Sequence, residues 1–306
     1  MIGIYGSNGF IGRHLVRRLA MLGLPVRAIS RRHDQHFVSS IQGPVEFLTG
    51  NFGDPLAMAA SLQDIDTVVQ LISTSSPGLK NEHAVADIQE NVIPHIAFLR
   101  SCVQAGVKRY VFLSSGGTIY GPEASTPTPE STATNPICSH GLTKLCIEKY
   151  IQMHAHVDGL EYAILRLANA YGPGQEFRKG QGLIPAILDR YRRNLPVRIL
   201  GDGEARRDYV YIDDVIDAIV AVLKLQSVPR LVLNVGSGVT HSVLDVVAAV
   251  EVATGHVFAR EYLDARGSDV EVSSLDISLA RSVLGWSPHT EFEEGVKRTV
   301  AAIKSV

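Results

Sequence analysis

A short apolar strand that runs straight into a glycine turn and then into a helix constrains this chain's fold more than any other feature. Ile2-Gly3-Ile4-Tyr5 leads into Gly6-Ser7-Asn8-Gly9-Phe10-Ile11-Gly12. Glycine at 6, 9 and 12 lets the backbone turn sharply, approach a neighbour closely and point the unpaired N–H groups of a helix's first turn outward. Those donors, together with the helix dipole, favour an anion such as a pyrophosphate. A glycine triplet alone would mean only a tight turn. Between a strand and a helix, the spacing GxxGxxG reads as a dinucleotide site.

The rest of the chain agrees with that opening. Apolar runs at 2–5, 26–29, 67–72, 110–113 and 162–167 read as strands, and 232–235 adds one more late in the chain. Between them, 10–22, 57–62, 93–105 and 142–157 keep apolar residues three and four apart, as helices covering a sheet do. Alternation of this kind predicts an α/β fold, a doubly wound parallel Rossmann sheet. Beyond Asn169 the pattern loosens, with glycine- and proline-bearing loops around 172–185 and 196–206 and helical stretches at 184–191, 212–224 and 243–252. Ser287-Pro288 stops a further helix near Leu284-Gly285-Trp286. We expect residues 1–168, joined by the late strand, to form the dinucleotide unit and 169–306 a smaller substrate unit.

Composition excludes several function classes. With 306 residues, 45% of them hydrophobic, the chain can bury a large core. Lys and Arg number 29 against 31 acidic residues, so no overall charge recruits nucleic acid or an anionic membrane. Cys102, Cys138 and Cys146 are too few and too irregular for a disulfide framework or a metal site, which suits a reducing compartment. The first strand begins at Met1, leaving no room for a signal peptide, and no apolar run reaches the roughly 18 residues needed to span a bilayer. The expected location is the cytoplasm.

Three more motifs follow in order: Phe112-Leu113-Ser114-Ser115-Gly116-Gly117-Thr118-Ile119-Tyr120-Gly121, Ser139-His140-Gly141-Leu142-Thr143-Lys144 and Leu165-Arg166-Leu167-Ala168-Asn169-Ala170-Tyr171-Gly172-Pro173. With the glycine turn, they resemble the extended short-chain dehydrogenase/reductase family, most closely its UDP-glucose 4-epimerase-like branch. The resemblance implies a catalytic Tyr and Lys one helical turn apart, with a Ser or Thr hydroxyl from the fifth strand. Residues i and i+4 share a helix face, which keeps the cation beside the base. Lys144 fits, but His140 stands at the tyrosine position. The family's usual hydroxyl position is Gly116, flanked by Ser115 and Thr118. Three readings of His140 stay open: a neutral imidazole base; a shorter, misplaced base that turns over slowly; or a protein that binds without catalysis.

The resemblance also implies a set of cofactor residues. Gly6, Gly9, Phe10, Ile11 and Gly12 form the cradle, and Asn51 and Phe52 lie in a loop like the family's adenine loop. Leu71, Ile72 and Ser73 sit at the fourth strand's carboxyl end, and His140, Lys144 and Leu167 complete the set. Asn91 is either the family's nicotinamide-side asparagine or a helix-start residue. Where an NAD-binding relative places Asp, the chain has Ser30 followed by Arg31 and Arg32. A guanidinium suits a 2′-phosphate, or both arginines are surface charges, so the cofactor is NAD or NADP.

For the substrate the implied residues are Asn169, Gly182, Leu183, Arg207, Arg266 and Asp269, around the diphosphate and nucleoside of a UDP-sugar. No metal is expected. The implied reaction is 4-epimerisation of a UDP-hexose, with a family dehydratase or reductase and a catalytically silent dinucleotide sensor as alternatives. Relatives pair the helices matched by 93–105 and 142–157, which implies a homodimer without nucleic-acid or membrane partners.

Overall fold

The structure, a computed structural model, describes residues 1–75, 84–122, 124–177, 182–228, 230–265 and 271–304. Its first part runs β1 (Ile2–Tyr5), α1 (Phe10–Met21), β2 (Val26–Ser30), α2 (Gln35–Ser40), β3 (Val45–Thr49), α3 (Pro55–Ala60), β4 (Thr67–Gln70) and α4 (Ala84–Asp87). A π-helical turn (Ile88–Val92) then enters α5 (Ile93–Gln104), followed by β5 (Arg109–Ser115), α6 (Gly116–Ile119), α7 (Ser139–Val157) and β6 (Glu161–Leu167). The remainder comprises β7 (Asn169–Tyr171), α8 (Leu183–Arg192), β8 (Val197–Leu200), β9 (Arg206–Tyr211), α9 (Ile212–Lys224), β10 (Leu231–Val235) and β11 (Thr240–Ser242). It closes with α10 (Val243–Thr254), β12 (Arg260–Leu263), β13 (Val272–Ser273), α11 (Ser278–Leu284) and α12 (Phe292–Lys304).

Seven parallel strands form the main sheet in the order β10-β6-β5-β4-β1-β2-β3. This is the expected doubly wound fold. The chain winds outward from β1 through β2 to β3, then returns to β4 and winds the other way. The order therefore reverses between β1 and β4, and the crevice at their carboxyl ends is where such sheets bind ligands. Strand side chains alternate between two buried layers. Ile4, Ala28, Val69, Val111 and Leu165 face α1 and α9, while Tyr5, Ile29, Val68, Phe112 and Ile164 face α3, α5 and α7.

The late strand β10 pairs parallel to β6 from Leu231↔Ala163 to Val235↔Leu167. α9 also packs against α1, and Arg18 forms an ion pair with Asp217. The chain beyond 169 thus supplies both a strand and a helix to the first sheet. A smaller sheet, β11-β9-β13 with β7 on β9, and the pair β12-β8 carry the rest, with α10 packed on α8 and α12.

β3 and α7 are among the elements that depart from the sequence reading. β3 carries no continuous apolar run, because this outer strand is only half-buried along its length. α7 begins at Ser139 instead of 142, so His140 lies inside the first turn, with no side-chain cap at Cys138 to announce the start.

Candidate active site

The glycine turn is built by the main chain. Gly6 adopts φ +92°, and its carbonyl accepts from the Gly9 amide at 3.0 Å. A Cβ at Gly12 would sit 2.3 Å from that carbonyl, so the helix start and the turn touch backbone to backbone. Gly9 caps α1 without a side chain, which leaves the Phe10, Ile11 and Gly12 amides with no intrahelical acceptor. Leu71 and Ile72 close the other wall: a Cβ at Gly6 would meet the Ile72 amide nitrogen at 3.2 Å. Gly6, Gly9, Phe10, Ile11, Gly12, Leu71 and Ile72 therefore come together at the switch point. A cradle with no Cβ, at the uncapped start of a 12-residue helix, fits a dinucleotide's pyrophosphate.

On the β2 side, Ser30 is half-buried and ends its strand, while Arg31 and Arg32 are exposed and have no ion pair among the described residues. The Gly50 amide donates to the Ser30 carbonyl at 3.0 Å, joining the two loops. Asn51 is exposed and its Oδ1 accepts from the Gly53 amide at 3.2 Å. Phe52 differs from its expected role: its ring turns into the core against His95 and Phe98. Sequence inspection cannot tell a loop ring that faces a ligand from one that fills the core.

On α7, side chains do the building. Lys144 is buried, donates from Nζ to the Leu113 carbonyl at 2.8 Å and lies 4.8 Å from the Phe112 ring centre. His140, one turn earlier, is also buried, and its Nδ1 lies 2.8 Å from Ser75 Oγ. Its Nε2 has no hydrogen-bond partner among the described residues. Burial first, and the Lys144 charge second, push the imidazole down to about 3, so it is neutral at physiological pH. Burial also lowers Lys144 to about 8, opposed by the Glu148 carboxylate. Glu148 in turn grips Arg166 at 2.7 and 3.1 Å, and Arg166 donates to the Tyr120 hydroxyl at 3.0 Å. That buried pair fixes α7 to β6.

The hydroxyl pair lies against the start of the same helix. Thr118 Oγ1 donates to Ser115 Oγ at 2.9 Å, and a Cβ at Gly141 would meet the Thr118 carbonyl at 2.6 Å. Between them, a Cβ at Gly116 would lie 2.5 Å from the Leu275 side chain, whereas Gly117 faces open space. Leu167 ends β6 directly opposite Ser115 in register.

Asn91 is neither a cap nor a free amide. In the buried π-helical turn its Nδ2 donates to Thr74 Oγ1 at 2.9 Å and to the Asp87 carbonyl at 3.1 Å, while its Oδ1 accepts from the Thr74 amide at 2.9 Å. It pins segment 73–75 from behind, with both of its N–H groups engaged. Ser73 Oγ donates to the Ser75 carbonyl at 3.4 Å. Neither Ser75 nor this clamp was legible in the sequence.

On the substrate side, Asn169 opens β7 and donates from Nδ2 to the Asp208 carbonyl at 3.0 Å. Gly182, at φ +72°, precedes Leu183 at the start of α8, which again lacks a side-chain cap. Arg207 on β9 is half-buried, bonds only the Arg206 carbonyl at 2.8 Å and has no carboxylate partner among the described residues. Arg266 and Asp269 lie outside the described residues. Sequence reasoning also missed Asp208, a buried carboxylate that accepts from the Ser237 and Gly238 amides at 2.8 and 3.1 Å and from the Leu275 amide at 3.4 Å. Asp214, Asp217 and His289 have metal-like spacing, but Asp217 pairs with Arg18 and Asp214 accepts from the His289 and Thr290 amides, so they tie the fold together.

Sequence comparison adds the lineage. Residues 2–236 match the NAD-dependent epimerase/dehydratase family. The chain belongs to that family. A putative UDP-glucose 4-epimerase of Methanocaldococcus jannaschii is 31% identical over 100% of this chain and 99% of its own length. The UDP-glucose 4-epimerase of Thermotoga maritima, solved with UDP-glucose, superposes with a TM-score of 0.92 at 32% identity, covering 99% of this chain and 98% of that one. The Thermus thermophilus enzyme, solved with NAD, gives 0.91 at 28%, covering 100% and 99%. Among the described residues no helix is long and apolar enough to cross a membrane.

Proposed function

We propose that this chain is a UDP-hexose 4-epimerase that uses NAD or NADP. The observation that carries the reading is the pairing, on one face of α7, of a buried neutral imidazole and a buried cation beside a side-chain-free diphosphate cradle. The family and the epimerases it resembles over their full length support the same assignment. Gly6, Gly9, Phe10, Ile11 and Gly12 hold the pyrophosphate, Leu71, Ile72 and Ser73 the adjoining ribose, and Ser30, Arg31, Arg32 and Asn51 the adenosine end. Lys144 and Leu167 lie at the nicotinamide end. When bound, the dinucleotide supplies the reversible two-electron oxidation of the sugar's C4 carbinol.

His140 Nε2 accepts the proton of the C4 hydroxyl. Lys144, positive below about 8, stabilises negative charge developing on that oxygen. Because Thr118 donates to Ser115, the Ser115 hydroxyl keeps its own hydrogen to offer to the sugar oxygen. Arg207, which lacks a carboxylate, is available to the UDP diphosphate, together with Asn169, Gly182, Leu183, Arg266 and Asp269. The substrate unit and the sheet enclose the sugar nucleotide from opposite sides. The protein works as a homodimer in the cytoplasm, paired through α5 and α7, where Ile93 and Leu142 are exposed.

The test is direct. Purified protein with UDP-glucose or UDP-galactose and either dinucleotide should interconvert the two sugars, read by chromatography. Binding of UDP-hexose and dinucleotide without interconversion of any UDP-hexose would leave a silent binder in place of an enzyme.

A further inference from the structure

We propose that Ser75 is a positioning residue that sets the tautomer of His140, an inference that rests on reading His140 as the base. Imidazole is a base at Nε2 only when its proton is on Nδ1. The Ser75 hydroxyl lies 2.8 Å from Nδ1, with Ser75 2% exposed, and the Ser75 backbone also reaches the ring. A contact between a hydroxyl and a ring nitrogen can run either way, so the neighbouring bonds decide its direction.

Ser73 Oγ donates to the Ser75 carbonyl, which leaves its own lone pairs free, and it lies 3.3 Å from Ser75 Oγ. A consistent chain follows: His140 Nδ1–H donates to Ser75 Oγ, Ser75 O–H to Ser73 Oγ, and Ser73 O–H to the Ser75 carbonyl. Every donor then has an acceptor, and the one unfilled group is the Nε2 lone pair. In the reverse sense Ser75 would donate to Nδ1, and Nε2–H would point from a largely buried ring with no acceptor among the described residues. Only the first direction leaves Nε2 a lone pair with which to take the substrate's proton, so that direction is the one that suits a base. Asn91 holds the arrangement by bonding both the amide and the hydroxyl of Thr74.

The step balances simply. The C4 hydroxyl proton moves to Nε2, forming an imidazolium whose Nδ1–H stays on Ser75, and the same proton returns to the C4 oxygen when the sugar is reduced again. Ser75 changes neither its bonds nor its charge. A tyrosine at position 140 has one oxygen and no tautomer to set, so the device belongs to the histidine.

Nitrogen-15 NMR of the histidine-labelled protein, with His140 assigned by comparison with His140→Phe, reads the tautomer directly and needs no turnover. The expected wild-type signature is protonated Nδ1 and bare Nε2. Ser75→Ala should mix the tautomers and lower kcat by about tenfold or more, with KM for the UDP-sugar changed less than twofold. Ser75→Thr, which keeps the hydroxyl, should restore both readouts. A wild-type ring protonated on Nε2, or Ser75→Ala with unchanged tautomer and kcat, overturns the proposal. If the tautomer is as expected but His140→Phe turns over at the full rate, the failure lies with His140 as base and not with Ser75.

Discussion

The two ends of the site are made of different material. At α1 the candidate dinucleotide cradle is main chain: three glycines, unpaired amides and a carbonyl that a single added Cβ would strike. At α7 the candidate catalytic groups are side chains, His140 and Lys144, each held by a partner far away in the sequence, Ser75 and the Leu113 carbonyl. A backbone site tolerates almost no change at its glycines but is indifferent to the identity of many neighbours. A side-chain site can take a different residue, provided that its supporting contacts change with it. The first kind ties a chain to a cofactor class, and the second leaves room for variation in the chemistry.

Substitutions can break this comparison, and the largest effect belongs to the backbone end. Gly12→Val should abolish measurable dinucleotide binding by calorimetry and cost about 1–3 kcal/mol of fold stability, because nothing near 12 can give way. If affinity survives, the cradle is not main-chain built. At the other end, His140→Phe should lower turnover by about 10²- to 10⁴-fold while leaving dinucleotide and UDP affinity intact. His140→Tyr should raise turnover if imidazole is a serviceable but short base.

Arg207→Ala should weaken UDP-sugar binding by about 1.5–3 kcal/mol, the scale of a charge-assisted hydrogen bond, with dinucleotide affinity unchanged. Equal loss of both ligands would show a folding defect instead. NADP should bind the wild type at least as well as NAD. Replacing Arg31 and Arg32 by Ala should shift the preference toward NAD by about tenfold, roughly 1.4 kcal/mol. A preference that does not move would make both arginines surface charges.

The smallest expected effect is a flat stretch in the pH profile. An imidazole of ordinary pKa would lose base function as pH falls through about 6.5. Burial and Lys144 put His140 at about 3, so kcat/KM should stay level from about pH 5 to about pH 7. It should decline above about 8 as Lys144 loses its proton. Stability responds in the opposite sense. A histidine with a depressed folded pKa binds its proton more readily in the unfolded chain, so His140 and the buried His95, also near 3, should lower the melting temperature as pH falls from about 6.5.

What was legible in the sequence follows the same division. The interior strands β1, β2, β4, β5 and β6 read as apolar runs, as does the edge strand β10, whose carboxyl half is buried, whereas the other edge strand β3 is only half-buried and β7, β9 and β13 lie in a small sheet. The glycine turn is local, so its geometry could be inferred from spacing alone. Ser75 could not: 65 residues separate it from His140, and a serine in a loop carries no signal of its partner. Asn91 and Phe52 were singled out by position, yet the structure turns one toward Thr74 and the other into the core. Sequence position alone does not give the direction in which a side chain points.

The contact between Gly116 and Leu275 makes the two positions a matched pair. The Leu275 methyl groups occupy the volume where a side chain at 116 would begin, and the Leu275 amide is bonded to Asp208, so room there comes from a new Leu275 rotamer and not from a backbone shift. A serine at 116 therefore requires the Leu275 side chain to turn away, and fits more easily still when 275 is smaller. Size at one of these two positions is thus traded against size at the other, so a bulkier residue at 116 should favour a smaller one at 275.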